Sequence, residues 1–337
     1  AVTAQAKAAA SALIRISSRP ALLALLHDEP YAFYWYDKTS GLSMSYPSYA
    51  ATASKIMLRG QFTLKLTVAE YYAEEPYVMA EGFGSLVTGA VNRARQIVSS
   101  YALYTDTGKL QAYKDEICAL TAYNYAALAS GTPYGNPWQL IWVFDGDETT
   151  NVVCEGYAKA FQYLCDLSTF EHDVSSITVT GTMGGANHMW NLVSMDDDVQ
   201  YIVDVTNCDT GTYGYPDALF LAGTDAGSVL EGYTFSSRNI TELYVYDETT
   251  MTLFSEEALT LGTSGYFSRF SLPAPSLQVS PQDCLVGTPV SLSILAGDVT
   301  YDAYVLRISD AESTVSVQLP GDPTEYAFSE GFETSGN

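Results

Sequence analysis

The chain has 337 residues, 47% of them hydrophobic, and carries 39 acidic against 15 basic side chains for a formal charge of −24. That length and apolar content can bury a large core and predict two or three domains, while the acidic excess would repel a phosphate backbone and argues against nucleic acid as a partner. The same excess opposes docking to an anionic membrane, and no apolar run approaches the roughly 18 residues of a spanning segment.

The first 27 residues, rich in alanine and leucine, predict a helix that stops or kinks at Pro20 and then resumes. Residues 33–36 and 42–46 flank the Thr39-Ser40-Gly41 turn, and residues 61–70 alternate Phe62, Leu64, Leu66 and Val68 with polar side chains; all three read as antiparallel strands. Helical spacing covers about 89–101 and 109–129, and the segment 130–137 breaks it. Tyr157, Ala158, Phe161, Leu164 and Cys165 then recur at intervals of three and four, so a helix begins at or just before Cys154. Strands follow at 176–181, 188–195 and 199–205, the last two joined by the turn Asp196-Asp197-Asp198. From about Ser271, Pro273, Pro275 and Pro281 mark a linker, and strands are predicted at 290–295, 301–308 and 315–319. This last part suits an immunoglobulin-like sandwich, although about 65 residues remain where that fold takes roughly 100.

The five cysteines, Cys118, Cys154, Cys165, Cys208 and Cys284, are odd in number and lack zinc-site spacing, so at least one thiol is free. Cys118 and Cys165 read as buried small hydrophobes. Cys154 differs, because a helix N-terminus stabilises a thiolate through the dipole and the unpaired amides. A nucleophilic thiol also needs a base and a group that orients the base. His188 and Asp204 fit these roles: they lie nine and seven residues from Asp197, which puts them opposite or diagonal across a hairpin.

Residues 154–161 read CEGYAKAF, residues 188–191 HMWN and residues 201–206 YIVDVT. Together, over about residues 109–220, they resemble the transglutaminase-like superfamily of papain-related thiol enzymes. The resemblance implies an α+β core in which a helix carrying Cys154 packs on an antiparallel sheet carrying His188 and Asp204. Val153 stands where bacterial members often have glycine, and Met189 where alanine is common; both bear on access to the site. The implied organisation is an N-terminal helical and β region over 1–108, a catalytic domain over 109–270 and a β-rich domain over 271–337. Besides the Cys154 amide, the spacing leaves Trp138, Gln139 and Tyr125 as candidate oxyanion donors.

These features lead to the expectation of a thiol enzyme acting on peptide or protein amides through an acyl-enzyme on Cys154, either a peptidase or amidase or a transamidase. No metal or organic cofactor is implied. The start at Ala1 without Met, the low lysine content and the acidic balance suggest a secreted or cell-surface bacterial protein, with a cell-wall or surface component as a further partner. The rival expectation is a noncatalytic surface module binding peptide, wall polymer or protein, and a Cys154 closed off from solvent would favour it. Asp145, Asp147 and Glu148 read as a solvated turn and not a calcium loop. Gly181, Gly184 and Gly185 read as a mobile loop near the site, and His27 and His172 as surface polar residues.

Overall fold

The structure is a computed structural model. It describes residues 3–14, 19–40, 42–52, 54–130, 136, 138–197, 199–224, 233–237, 240–269 and the strand segments 276–280, 290–295, 303–309, 314–320 and 325–328. The chain forms two compact units, Ala1–Tyr266 and Phe267–Asn337. The fold is α+β.

The first unit opens with α1 (Ala4–Ile14) and α2 (Arg19–Asp28). Pro20 is the second described residue of α2, and the junction between the two helices, residues 15–18, lies outside the described residues. The predicted strand at 33–36 is a series of turns, with Tyr36 making an isolated bridge to Val68. Its neighbour Tyr31 explains why aromatic residues collect here: the ring is buried and stacks on Tyr163 at 3.9 Å. Packing, not strand pairing, uses these side chains. Next come β1 (Leu42–Ser45), β2 (Ser48–Ala51), β3 (Ile56–Arg59) and β4 (Thr63–Leu66), with β1 paired to β4 and β2 to β3. A short hairpin of β5 (Ala73–Glu75) and β6 (Val78–Met79) follows.

Five helices come next: α3 (Phe83–Ser100), α4 (Asp106–Leu120), α5 (Tyr125–Ser130), α6 (Trp138–Trp142) and α7 (Cys154–Asp166). The helix predicted over 109–129 is thus broken. Asn124 accepts from the Ala127 amide at 2.9 Å, so its side chain opens α5 as a new N-terminus. The next elements are β7 (Ser175–Met183), β8 (Ala186–Ser194), β9 (Gln200–Val203), α8 (Val205–Cys208), β10 (Phe220–Ala222), β11 (Tyr233–Ser237) and β12 (Ile240–Tyr246), then α9 (Glu248–Leu253) and α10 (Glu256–Leu259). The strands form one antiparallel sheet in the order β10-β9-β8-β7-β12-β11.

Helix α7 packs on β7 and β8, and its Phe161 and Leu164 share a core with Trp190, Leu192 and Ile202, none of them exposed. The sequence pattern gives α7 one apolar face, yet Glu155, Lys159 and Gln162 are buried too. The reason lies in the N-terminal segment, which covers the opposite side: Gln162 Nε2 donates to the His27 carbonyl at 3.0 Å. Gly181 and the Gly184-Gly185 pair do different work from the expected mobile loop. A Cβ on Gly181 would sit 1.9 Å from the Val245 carbonyl, so the missing side chain lets β12 pair with β7. Gly184 and Gly185 have φ of 56° and 83°, the left-handed pair that a two-residue hairpin turn demands, and they close β7 onto β8 with Met183 opposite Ala186.

The second unit contains β13 (Ser276–Ser280), β14 (Val290–Leu295), β15 (Ala303–Ser309), β16 (Thr314–Pro320) and β17 (Glu325–Phe328). They form an antiparallel β13-β14-β17 sheet and a β15-β16 hairpin. The predicted linker prolines Pro273, Pro275 and Pro281, and Cys284, lie outside the described residues. Among the described residues, no helix is long and apolar enough to cross a membrane.

Candidate active site

Cys154 is the first residue of α7. Val153 precedes it in extended conformation and gives no side-chain cap, so the helix end is left to polarise whatever sits beside it. The thiol is only 4% exposed, but it lines a cavity of about 490 Å³. His188 lies on another wall of the same cavity, opposite Gly181 in the β7-β8 register.

Strands β8 and β9 pair with Asn191 opposite Val203 and Leu192 opposite Ile202. Continuing that register brings Asp204 opposite Trp190 and diagonal to His188, on the same face of the sheet. The side chains meet there: His188 Nε2–H donates to Asp204 Oδ2 at 2.7 Å. Asp204 also caps α8, its Oδ1 accepting from the Asn207 amide at 3.3 Å. One carboxylate therefore both ends a strand and orients an imidazole.

His188 stacks on Trp190, with ring centroids 5.8 Å apart. Burial alone would push its pKa down, but the Asp204 charge and hydrogen bond outweigh that, helped by Cys154 through hydrogen bonding and charge, and raise it to about 10. With Nε2 committed to Asp204, Nδ1 is the nitrogen left for the thiol. Such a histidine holds its proton at neutral pH. Asp204 is completely buried; burial pushes its carboxyl up, and the His188 charge with three hydrogen-bond donors reverses this and holds it low.

Two of those donors escaped the sequence reading. Tyr244 Oη on β12 donates to Asp204 Oδ2 at 2.8 Å, and Asn207 Nδ2 donates to the same oxygen at 2.8 Å. Asn207 stands three residues after Asp204, the spacing of a cap and its first turn, and could have been found from that. Tyr244 lies 40 residues downstream on a strand whose alternation gives only its face.

The three candidate oxyanion donors fare differently. Tyr125 is 70% exposed with its ring against Tyr123. Trp138 opens α6, and its side chain lies outside the described residues. Gln139 is buried and accepts from the Val153 amide through Oε1 at 3.1 Å. Because that partner is a donor, the amide orientation is fixed, and Nε2 is left without an acceptor among the described residues. The Gln139 side chain is thus held by the residue next to Cys154, although Gln139 is not among the residues that line the cavity.

Other titratable groups separate from this centre. Burial pushes the Cys118 thiol up to about 12 and the Cys165 and Cys208 thiols well above their ordinary range. His27 is buried, contrary to the surface role expected, with Nδ1 bonded to the Thr178 carbonyl at 2.9 Å. His172 is exposed and pairs with Asp106 at 2.9 Å. Asp145 closes a turn by accepting from the Asp147 amide at 2.8 Å and from Thr150. Among the described residues, no cluster of His, Cys, Asp and Glu could hold a metal ion.

Beside Cys154 lies a charged cluster that the sequence did not announce. Lys38 and Lys159 both donate to Glu155 Oε1, the latter at 2.7 Å. Burial lowers Lys38 to about 8 despite the glutamate, while the two ammonium groups overcome the effect of burial on Glu155 and hold it at about 2.

No family model matches the chain, and no curated protein matches it. A solved structure described as "Crystal structure of a TGase" aligns with 61% of this chain at 17% identity and a TM-score of 0.31. The alignment spans 52% of that structure's chain, about half its length.

Proposed function

We propose that the chain is a thiol enzyme of the transglutaminase-like kind, cleaving or exchanging peptide or protein amides through an acyl-enzyme on Cys154. The observation that carries this reading is the hydrogen bond from His188 to Asp204, with His188 and Cys154 on the walls of one cavity. The Cys154 sulfur attacks the amide carbonyl, and the protonated His188 ring gives its proton to the leaving nitrogen. A thioester remains. Water or an amine then attacks it, His188 takes the incoming proton, and the thiol is regenerated. Water gives a peptidase or amidase, an amine a transamidase. Extracellular bacterial location is part of the proposal and rests on the acidic, lysine-poor composition.

The near-burial of Cys154 favours the rival reading of a noncatalytic peptide-binding module. Reactivity separates the two. Cys154 is expected to react with iodoacetamide at pH 6 at least tenfold faster than Cys118, Cys165 and Cys208, whose thiols burial keeps protonated. His188→Ala should remove the advantage. A Cys154 as slow as the others in the parent protein would end the enzyme reading.

Gln139 is assigned to the oxyanion together with the Cys154 amide. Gln139→Ala is expected to lower kcat on a peptide amide by about 10²–10³, with KM and the rate of Cys154 alkylation little changed. An unaltered kcat would remove Gln139 from the mechanism.

A further inference from the structure

The cavity that holds Cys154 and His188 also holds Lys38, Glu155 and Lys159. Both ammonium groups donate to one oxygen, Glu155 Oε1, so this cluster carries two positive charges against one negative. Each ammonium has three N–H groups, and neither lysine has a second acceptor among the described residues. Lys159 is 3% exposed, which makes its unspent donors costly in the absence of a ligand. The remaining carboxylate on the wall, Asp247, is engaged elsewhere, capping α9 by accepting from the Thr250 amide at 2.9 Å. His27 adds no charge, because burial lowers its pKa.

We infer that the Lys38–Lys159 pair is an anion subsite, which selects peptides bearing a carboxylate within one or two residues of the scissile amide. This rests on the thiol-enzyme reading of the same cavity. The helix sets the scale: Cys154 and Lys159 both line the cavity, five residues apart on α7, which separates their backbone positions by about 7.5 Å along the axis at 1.5 Å per residue. An extended peptide covers that in about two residues, and an acidic side chain covers it in one. The carboxylate therefore comes from a glutamate-like side chain or from the C-terminus of the substrate. Leu23 and Leu26 add apolar surface to the lining of the same cavity, which strengthens a charge-assisted contact made there.

Calorimetry on the full chain carrying Cys154→Ser, at pH 7 and low salt, tests this without any turnover. Three N-acetylated tripeptides based on alanine serve as probes, ending in glutamate amide, in a free alanine carboxylate, or in glutamine amide. At least one acidic peptide is expected to bind about tenfold tighter than the glutamine peptide, the factor of one charge-assisted hydrogen bond. Whichever acidic peptide wins identifies the source of the carboxylate. Lys38→Met should bring that advantage within about twofold. Lys159→Met replaces Lys38→Met if the latter does not fold. Equal binding of the three peptides, no binding by any, or an advantage that survives the lysine replacement overturns the subsite. Alkylation of Cys154 reads the thiol separately, so the subsite can fail while the enzyme reading stands, or the reverse.

Discussion

Asp204→Asn is expected to lower kcat on a peptide amide by about 10³–10⁴, with the fold intact. Asp204 Oδ2 faces three donors, from His188, Tyr244 and Asn207, and Oδ1 faces the Asn207 backbone amide. An asparagine side chain cannot meet that set. With its NH2 group toward His188, donor faces donor and Nε2 must give up its hydrogen, so the neutral imidazole keeps its hydrogen on Nδ1, toward Cys154, and cannot accept the thiol proton. With its oxygen toward His188, the NH2 group opposes the Asn207 amide, and the charge that raises His188 is lost. In both cases His188 falls from about 10 toward its ordinary value, and Cys154 loses a charged partner. Alkylation of Cys154 at pH 6 should slow along with turnover. Tyr244→Phe removes one of the three donors and leaves the imidazole contact, so its expected loss is only about tenfold. A kcat within tenfold of the parent in Asp204→Asn would show that His188 is oriented by something else.

Glu155→Ala is expected to reduce unfolding free energy by about 3 kcal/mol at pH 7, because it leaves the buried Lys159 ammonium and the half-buried Lys38 ammonium with no counter-charge. The pH dependence carries the signature. In the parent, Glu155 titrates at about 2 against an ordinary 4.5, so its contribution is present above pH 4.5 and lost as the pH falls toward 2. Lys38 titrates at about 8 against 10.5; its penalty applies below pH 8 and is relieved as the pH rises through that window. In the variant Lys38 sheds its proton more readily, so the difference from the parent should shrink between pH 7 and pH 9. Urea denaturation at the two pH values measures it. A loss under about 1 kcal/mol at pH 7, the range of exposed pairs, would mean that solvent screens the cluster.

What could be read from the sequence follows from local physics. The helix at Cys154 and the hairpin carrying His188 were legible because each is specified by its own periodicity, and the strand pairing that makes His188 diagonal to Asp204 follows from counting outward from a turn. The helix over 109–129 was misread because periodicity says nothing of Asn124 as a cap inside an otherwise regular run. The strand at 33–36 was misread because aromatic residues serve packing and pairing alike. Tyr244, Lys38 and the burial of His27 were out of reach for another reason: they depend on which segment covers which face of α7, a long-range choice that leaves no local trace. The Gly184-Gly185 pair was misassigned although its spacing is that of a hairpin turn, because two glycines also suit a flexible loop.

The wall of the cavity draws on three stretches of chain, the third being residues 245–249. Cys154, His188 and Asp204 lie within about fifty residues of one another, whereas Leu23, Leu26, His27, Lys38 and Thr39 come from a stretch more than a hundred residues earlier. Lys159 and Glu155 share a helix with the reacting Cys154, whereas Lys38 comes from the front of the chain. Exchanging residues 19–40 for a differently charged segment of matching shape would therefore retune one half of the anion subsite while the reacting groups and Lys159 stay as they are.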